Sequence, residues 1–274
     1  MTYINLLITF LLYPGLLSAL ALAAAFELLT TGRTALPATL GQLWRGLGER
    51  ETLLALAGAL MATLAMALLP WPLSLLEARR GWVWAWVALE LAFLLPLLPA
   101  LLGGDPPIAR AAMRELQLGV VARTLLWPAL IVGMALATQW AGWALAAHAI
   151  ILVAGVLALP AAIGWGPFSG EASITPGGPD QGLSPAALGL AELARSIRSA
   201  TLVAALLLAA LPLALAPIGL APLILAAGFV VAGMLLRRIA GRWPRLTLRD
   251  ALRFCWLRVL PLSAATLVCL IVVG

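Results

Sequence analysis

The sequence contains no lysine, a single histidine and only two cysteines, and 10% of its 274 residues are charged. Cys255 and Cys269 lie 14 positions apart in one predicted helix, which separates them by ~21 Å along the axis. A disulfide needs Cα atoms within ~7 Å, so these two cysteines cannot pair with each other. Without a cysteine pair or a histidine cluster, we expect the chain to bind no metal and no cofactor of its own.

Long apolar runs dominate the sequence, which is 64% hydrophobic. A membrane-spanning helix needs ~20 predominantly apolar residues. Eight runs of about that length leave no room for a soluble domain, so we predict an all-α polytopic membrane protein with a single transmembrane domain over residues 1–274. The runs are 4–29, 53–76, 83–102, 118–139, 143–164, 200–216, 220–236 and 255–273.

The distribution of arginine predicts the orientation. With the amino terminus outside, fifteen of the 17 basic residues fall in cytoplasmic gaps, and only Arg79 and Arg80 lie outside. Cytoplasmic loops carry the excess of positive charge in membrane proteins, so both termini are predicted to be extracytoplasmic. The protein is predicted to lie in the cell inner (cytoplasmic) membrane. The net charge of +6 is then explained by arginines that set the topology and contact anionic lipid in the bilayer. No nucleic-acid partner is expected.

Three ionisable residues within the apolar runs are candidates for ion transfer, because such groups are costly in hydrocarbon and mark functional positions. Glu90 lies near the middle of the third run, where it can pass a proton or equally serve as a neutral hydrogen-bonding partner. A lone histidine such as His148 is more often a packed, hydrogen-bonded group than a proton carrier. Glu27, near the cytoplasmic end of the first helix, can extend its carboxyl to water.

Arg123 lies about one turn inside the fourth predicted helix. Its guanidinium cannot be neutralised, so it needs an anionic partner or a wet crevice. Glu115 and Glu27 are the candidate partners. The sequence contains no nucleophile elbow, phosphate loop or hydrolase-type carboxylate pair, so we expect no catalytic residue in this chain.

Several segments resemble motifs of one protein family. Their order along the chain makes the resemblance more specific than any single segment does. The loop-to-helix motif reads ARAAMRE at 109–115 and LGV at 118–120, with Asp105 just upstream. The later segments are LSP at 183–185, LGLAELA at 188–194 and SIR at 196–198, with YPGL at 13–16, PF at 167–168 and PRL at 244–246.

Together these motifs resemble the integral membrane subunit of the complex I superfamily, the NADH dehydrogenase subunit 1 family. They are most similar to its hydrogenase-4 and formate hydrogenlyase branch, the energy-converting nickel–iron hydrogenases. The resemblance implies a membrane anchor, non-catalytic by itself, that docks a hydrophilic electron-transfer arm and helps couple it to proton or sodium translocation. It implies redox subunits with iron–sulfur clusters and a nickel–iron centre as partners, together with antiporter-like membrane subunits. Quinone, which complex I binds in the chamber below the arm, stays an open option.

Departures from the family pattern affect the acidic positions. Arg123 stands where the family has a buried glutamate, and the acidic run after Pro167 and Phe168 is reduced to Glu171 and Asp180. Glu171 is the fourth ion-transfer candidate, and anchoring is better supported than coupling. The residues expected to dock the arm lie in or beside the cytoplasmic gaps: Arg45, Arg114, Glu115, Arg123, Glu192, Arg195 and Arg198.

Two alternative functions remain open at this stage. The chain could be a free-standing polytopic transporter whose alanine- and leucine-rich helices mimic the family. It could also be a degenerate family member that is kept only for assembly, which the missing acidic residues favour.

Overall fold

The computed structural model describes residues 8–34, 41, 46–74, 81–103, 105–169, 178–217 and 219–273. These residues form helices joined by turns, and no strand occurs among them. The helices are α1 Leu16–Thr31, α2 Arg50–Leu68, α3 Gly81–Leu102, α4 Pro106–Ala135, α5 Trp143–Ile163, α6 Pro185–Ala210, α7 Ala221–Arg242, α8 Leu248–Phe254 and α9 Leu260–Val273. A π-helical turn, Cys255–Val259, joins α8 to α9, and two short 3-10 turns cover Gly166–Phe168 and Gly178–Asp180.

The described part of the chain contains eight helical segments that are long and apolar enough to cross a membrane. The first runs over Ile8–Thr31, and the last, Leu248–Val272, combines α8, the π-helical turn and most of α9. The predicted all-α polytopic class and the number of spans are therefore confirmed. The orientation of the termini stays a prediction.

Two helices begin well before the apolar runs that predicted them. Helix α4 starts at Pro106 rather than near residue 118, and α6 starts at Pro185 rather than near residue 200. Both begin with proline, whose fixed φ suits the first turn of a helix, and alanine-rich sequence continues the helix through the charged positions. The charged motif residues Arg114 and Arg195 consequently lie on helices and not in loops.

The chain divides into two compact units. Unit 1 contains residues Met1–Leu116 and Gly170–Thr201, and unit 2 contains Gln117–Ser169 and Leu202–Gly274. In unit 1, α2 packs against α3, and a Cβ atom on Gly58 would lie 2.7 Å from Cγ of Pro96. In unit 2, α5 packs against α9.

Small residues fill much of the core. The fully buried side chains include many alanines, among them Ala19, Ala62, Ala92, Ala129 and Ala200. Small side chains let helix backbones approach closely, and close van der Waals packing is what drives helices together where water is absent.

Gly133 marks one such close approach, between α4 and α6 in unit 2. A Cβ atom at this position would lie 2.5 Å from the carbonyl oxygen of Ala209, which is backbone and cannot rotate away. We therefore expect Gly133→Ala to push the two helices apart and to destabilise the protein by ~1–3 kcal/mol. A lower Tm of the detergent-solubilised chain would measure this loss.

Gly241→Ala is the matched control, because a Cβ atom at Gly241 meets nothing within 4 Å. It should leave the Tm unchanged or raise it slightly, since alanine favours the helix. If the two variants have equal Tm values, the approach at Gly133 is not tight.

Candidate functional site

A charged cluster lies at the start of α6, in unit 1. The guanidinium of Arg195 forms a salt bridge with the carboxylate of Asp180, and their side chains are 34% and 12% exposed. Glu192, one turn earlier on α6, interacts electrostatically with Arg195, Asp180 and Glu27, and Arg195 also interacts with Glu115. The cluster thus sets one guanidinium among four carboxylates contributed by three helices and the turn before α6.

Hydroxyl groups tie neighbouring carboxylates to the same end of α6. Ser196 Oγ donates to Glu27 Oε1 at 2.7 Å, and Ser184 Oγ donates to Glu49 Oε2. Thr52 Oγ1 donates to the same Glu49 oxygen at 3.1 Å. These bonds join the end of α1 and the start of α2 to the start of α6, so the gaps before α2 and before α6 share one polar surface.

A cavity of about 200 Å³ opens beside this polar surface, within unit 1. It lies between the start of α2, the end of α3, the start of α4 and the segment that follows Gly178–Asp180. Two exposed carboxylates, Glu51 and Asp105, line it together with Pro99, Gly103, Gln181 and Leu183.

Glu90 is half-buried in the middle of α3. Three residues further along α3, the ring of Phe93 lies under the guanidinium of Arg198, with Cζ 4.7 Å from the ring centroid. Residues three apart on a helix are neighbours, so the Arg198 charge lies near the part of α3 that carries Glu90. Glu90 and the Phe93–Arg198 contact therefore both lie on the middle part of α3, and ion transfer at Glu90 stays a prediction.

His148 packs against the turn that follows α4, in unit 2. It is buried, its Nε2 lies 3.2 Å from the carbonyl oxygens of both Leu136 and Gln139, and its ring stacks on Trp140 at 3.7 Å. Carbonyl oxygens only accept, so Nε2 carries the hydrogen. Within the described ranges, Nδ1 has no hydrogen-bond partner. This geometry favours the packed, hydrogen-bonded interpretation of His148, and ion transfer at this residue stays a prediction.

The remaining candidates differ in accessibility. Arg123 and Arg198 are buried, so neither can touch a docked subunit directly in this structure. Arg114 and Glu115 are half-buried, and Glu192 is exposed. Arg45 and Glu171 lie outside the described residues. Accessible docking candidates are therefore Arg114, Glu115, Glu192 and Arg195.

Sequence reasoning missed two members of the polar surface. Glu49, which precedes α2, and Glu51, which lines the adjacent cavity, each sit next to Arg50 at the start of α2. The sequence signal for these two residues is weak, because acidic residues are common at the start of any helix, where the positive end of the helix dipole stabilises their negative charge. Among the described residues, no three histidine, cysteine, aspartate or glutamate side chains are grouped so that they could hold a metal ion.

Comparison with known proteins gives a structural match only. No protein-family model matches the sequence, and no curated protein does. The fold is similar to a chain in the structure of the membrane-bound sulfane sulfur reductase, an archaeal respiratory membrane complex, with a TM-score of 0.66 and 18% identity. The match covers 97% of this chain and 98% of the other. At this identity the likeness shows the fold.

Proposed function

We propose that this chain is a membrane-anchor subunit of a respiratory redox complex, and that it docks the hydrophilic electron-transfer subunits. The observation that carries the proposal is the end-to-end fold match to a chain of a respiratory membrane complex, which covers nearly all of both chains. Docking rather than catalysis fits a chain in which we expect no catalytic residue.

The charged cluster supports docking on unit 1. Arg195 is paired with the largely buried Asp180 but is itself partly exposed, and Glu192 is exposed beside them. Removing one partner of a desolvated charge pair at an interface can cost ~2–5 kcal/mol, whereas exposed pairs within one chain contribute little. The fixed carboxylates therefore offer a binding surface to basic residues of a partner, and the adjacent cavity offers room for one of its side chains.

The finer assignment follows the sequence motifs. The hydrogenase-4 and formate hydrogenlyase branch implies partners with iron–sulfur clusters and a nickel–iron centre, antiporter-like membrane subunits, and coupling to proton or sodium movement. The arginine distribution orients the charged cluster toward the cytoplasm, with the complex in the inner membrane. Quinone binding belongs to the complex I alternative within the same superfamily.

Purification in mild detergent through a tag on this chain tests the proposal. We expect hydrophilic iron–sulfur subunits and further membrane subunits to co-purify, identified by mass spectrometry. A chain that purifies alone as a monomer or homodimer and moves a solute in liposomes would instead support the free-standing transporter. A redox complex that assembles and couples normally after the gene is deleted would also contradict the proposal.

A further inference from the structure

We propose that unit 2 carries a binding surface for an anionic phospholipid, formed by arginines at the end of α7 and in the first part of the last span. The arginines are all exposed and lie within one short stretch of sequence: Arg237, Arg238, Arg242, Arg245, Arg249, Arg253 and Arg258. We call this set the arginine surface. Among the described residues, none of the seven side chains has an ion-pair or hydrogen-bond partner. The one acidic residue in the stretch, Asp250, already accepts a bond from Thr247 Oγ1 at 2.7 Å.

Backbone and ring contacts hold the two halves of the arginine surface side by side. Leu246 N donates to the carbonyl of Pro167 at 2.8 Å, and the ring of Phe254 lies 5.3 Å from that of Phe168. The indole of Trp165 donates to the carbonyl of Leu236 at 3.1 Å. The end of α7 and helix α8 therefore both pack on the turn at Gly166–Phe168, so their exposed arginines lie at the same end of unit 2.

The arginine surface continues into exposed apolar faces. Only 22% of the apolar window is buried in Ala221–Arg242 and likewise in Leu248–Val272, compared with 89% in Pro185–Ala210. Trp243 and Trp256, at the ends of these faces, are 56% and 53% exposed. Tryptophan is enriched at the headgroup level of membranes. A phospholipid could thus lie with its acyl chains along the apolar faces and its phosphate against the guanidinium groups.

Arg258 favours a lipid over a soluble acidic partner. It is exposed in the π-helical turn and belongs to the apolar run 255–273. An arginine in such a run cannot lose its charge, so it must extend toward an anion or water at the interface. A lipid phosphate lies within reach of such a side chain, whereas a soluble protein does not enter the apolar region. A carboxylate of another membrane subunit is the competing occupant.

The test measures binding of cardiolipin, which carries two phosphates, to the full-length chain. Delipidated chain is reconstituted into phosphatidylcholine nanodiscs and titrated with fluorescent cardiolipin or fluorescent phosphatidylcholine. Wild type should bind cardiolipin in clear preference. The triple variant Arg249→Gln, Arg253→Gln and Arg258→Gln should bind it ~100-fold more weakly, since each arginine near anionic lipid contributes roughly a fivefold factor.

A matched triple variant controls for net charge. Arg33, Arg50 and Arg110 are exposed arginines of unit 1, and replacing all three by glutamine removes the same charge. This control should bind cardiolipin with less than a threefold change. If the first triple variant does not fold, Arg237→Gln with Arg242→Gln should still weaken binding ~30-fold.

Three results would overturn the proposal. One is equal affinity of the wild type for both lipids, and another is an equal loss of affinity in both triple variants, which would indicate a general effect of charge. The third uses the assembled complex in membranes that contain photoactivatable cardiolipin. A photocrosslinker at Trp243 that captures a protein subunit and no lipid would show that another membrane subunit covers the surface.

Discussion

Exchanging the charges of Arg114 and Glu115 should release the hydrophilic subunits while this chain stays inserted in the membrane. Both residues are half-buried near the start of α4, and Glu115 interacts electrostatically with Arg195 of the charged cluster. In the variant Arg114→Glu with Glu115→Arg, each exchanged charge would face a like charge of the partner. At ~2–5 kcal/mol for a desolvated charge, affinity should fall by roughly 30-fold to several thousand-fold.

The measurement is the amount of hydrophilic subunit that a tag on this chain retains from solubilised membranes. Arg249→Glu with Asp250→Arg is the matched control, because it exchanges an adjacent arginine and acid that are both exposed in unit 2. The control should retain the hydrophilic subunits in full. If the Arg114 and Glu115 variant also retains them, these residues mark topology only and the docking surface lies elsewhere.

Glu90→Gln should uncouple electron transfer from ion movement, if the carboxyl in the middle of α3 is a proton relay. Glutamine keeps the shape of the side chain and its hydrogen-bonding capacity but cannot carry a transferable proton. The Arg198 guanidinium lies over the ring of Phe93, three residues further along α3. We expect ion uptake to fall at least ~10-fold, because general acid–base groups contribute ~100-fold or more to proton transfer.

Proteoliposomes that contain the complex would report both quantities, electron-transfer rate and ion uptake. Assembly and the redox half-reaction should persist in Glu90→Gln. Asp250→Asn, which neutralises an exposed carboxylate outside the apolar region, should leave both rates unchanged. Full coupling in Glu90→Gln would identify Glu90 as a structural partner and would favour the assembly-only alternative.

Hydropathy alone was enough to predict the eight spans, because a long apolar run can satisfy its backbone in a membrane only as a helix or a closed barrel. It misplaced the starts of α4 and α6 for a related reason. Hydropathy windows end where charge begins, but a helix continues past the hydrocarbon as long as its residues favour helix, as Arg114 and Arg195 do. The helix start is set by Pro106 and Pro185, which the windows do not weigh.

The candidate site was less predictable, because its members meet through the fold. Ser184 and Glu49 are separated by 135 positions, and Ser196 and Glu27 by 169. A single sequence contains no signal that pairs such residues. Arg195 and Asp180 are only 15 positions apart, yet their pairing could be predicted only if the conformation of the turn between them were known. For His148 the sequence offered both interpretations, and the nearby carbonyl oxygens of Leu136 and Gln139 favour the packed one.

The alanine-rich core bears on how far this chain can drift in evolution. A core of interlocking large side chains constrains the identity of each residue, because every shape must match its neighbours. A core of alanines, with glycines such as Gly133 where the helices approach most closely, chiefly sets an upper limit on the volume of each side chain. Many sequences satisfy such a limit. Chains with this architecture should therefore lose recognisable sequence similarity early while their helices keep the same arrangement.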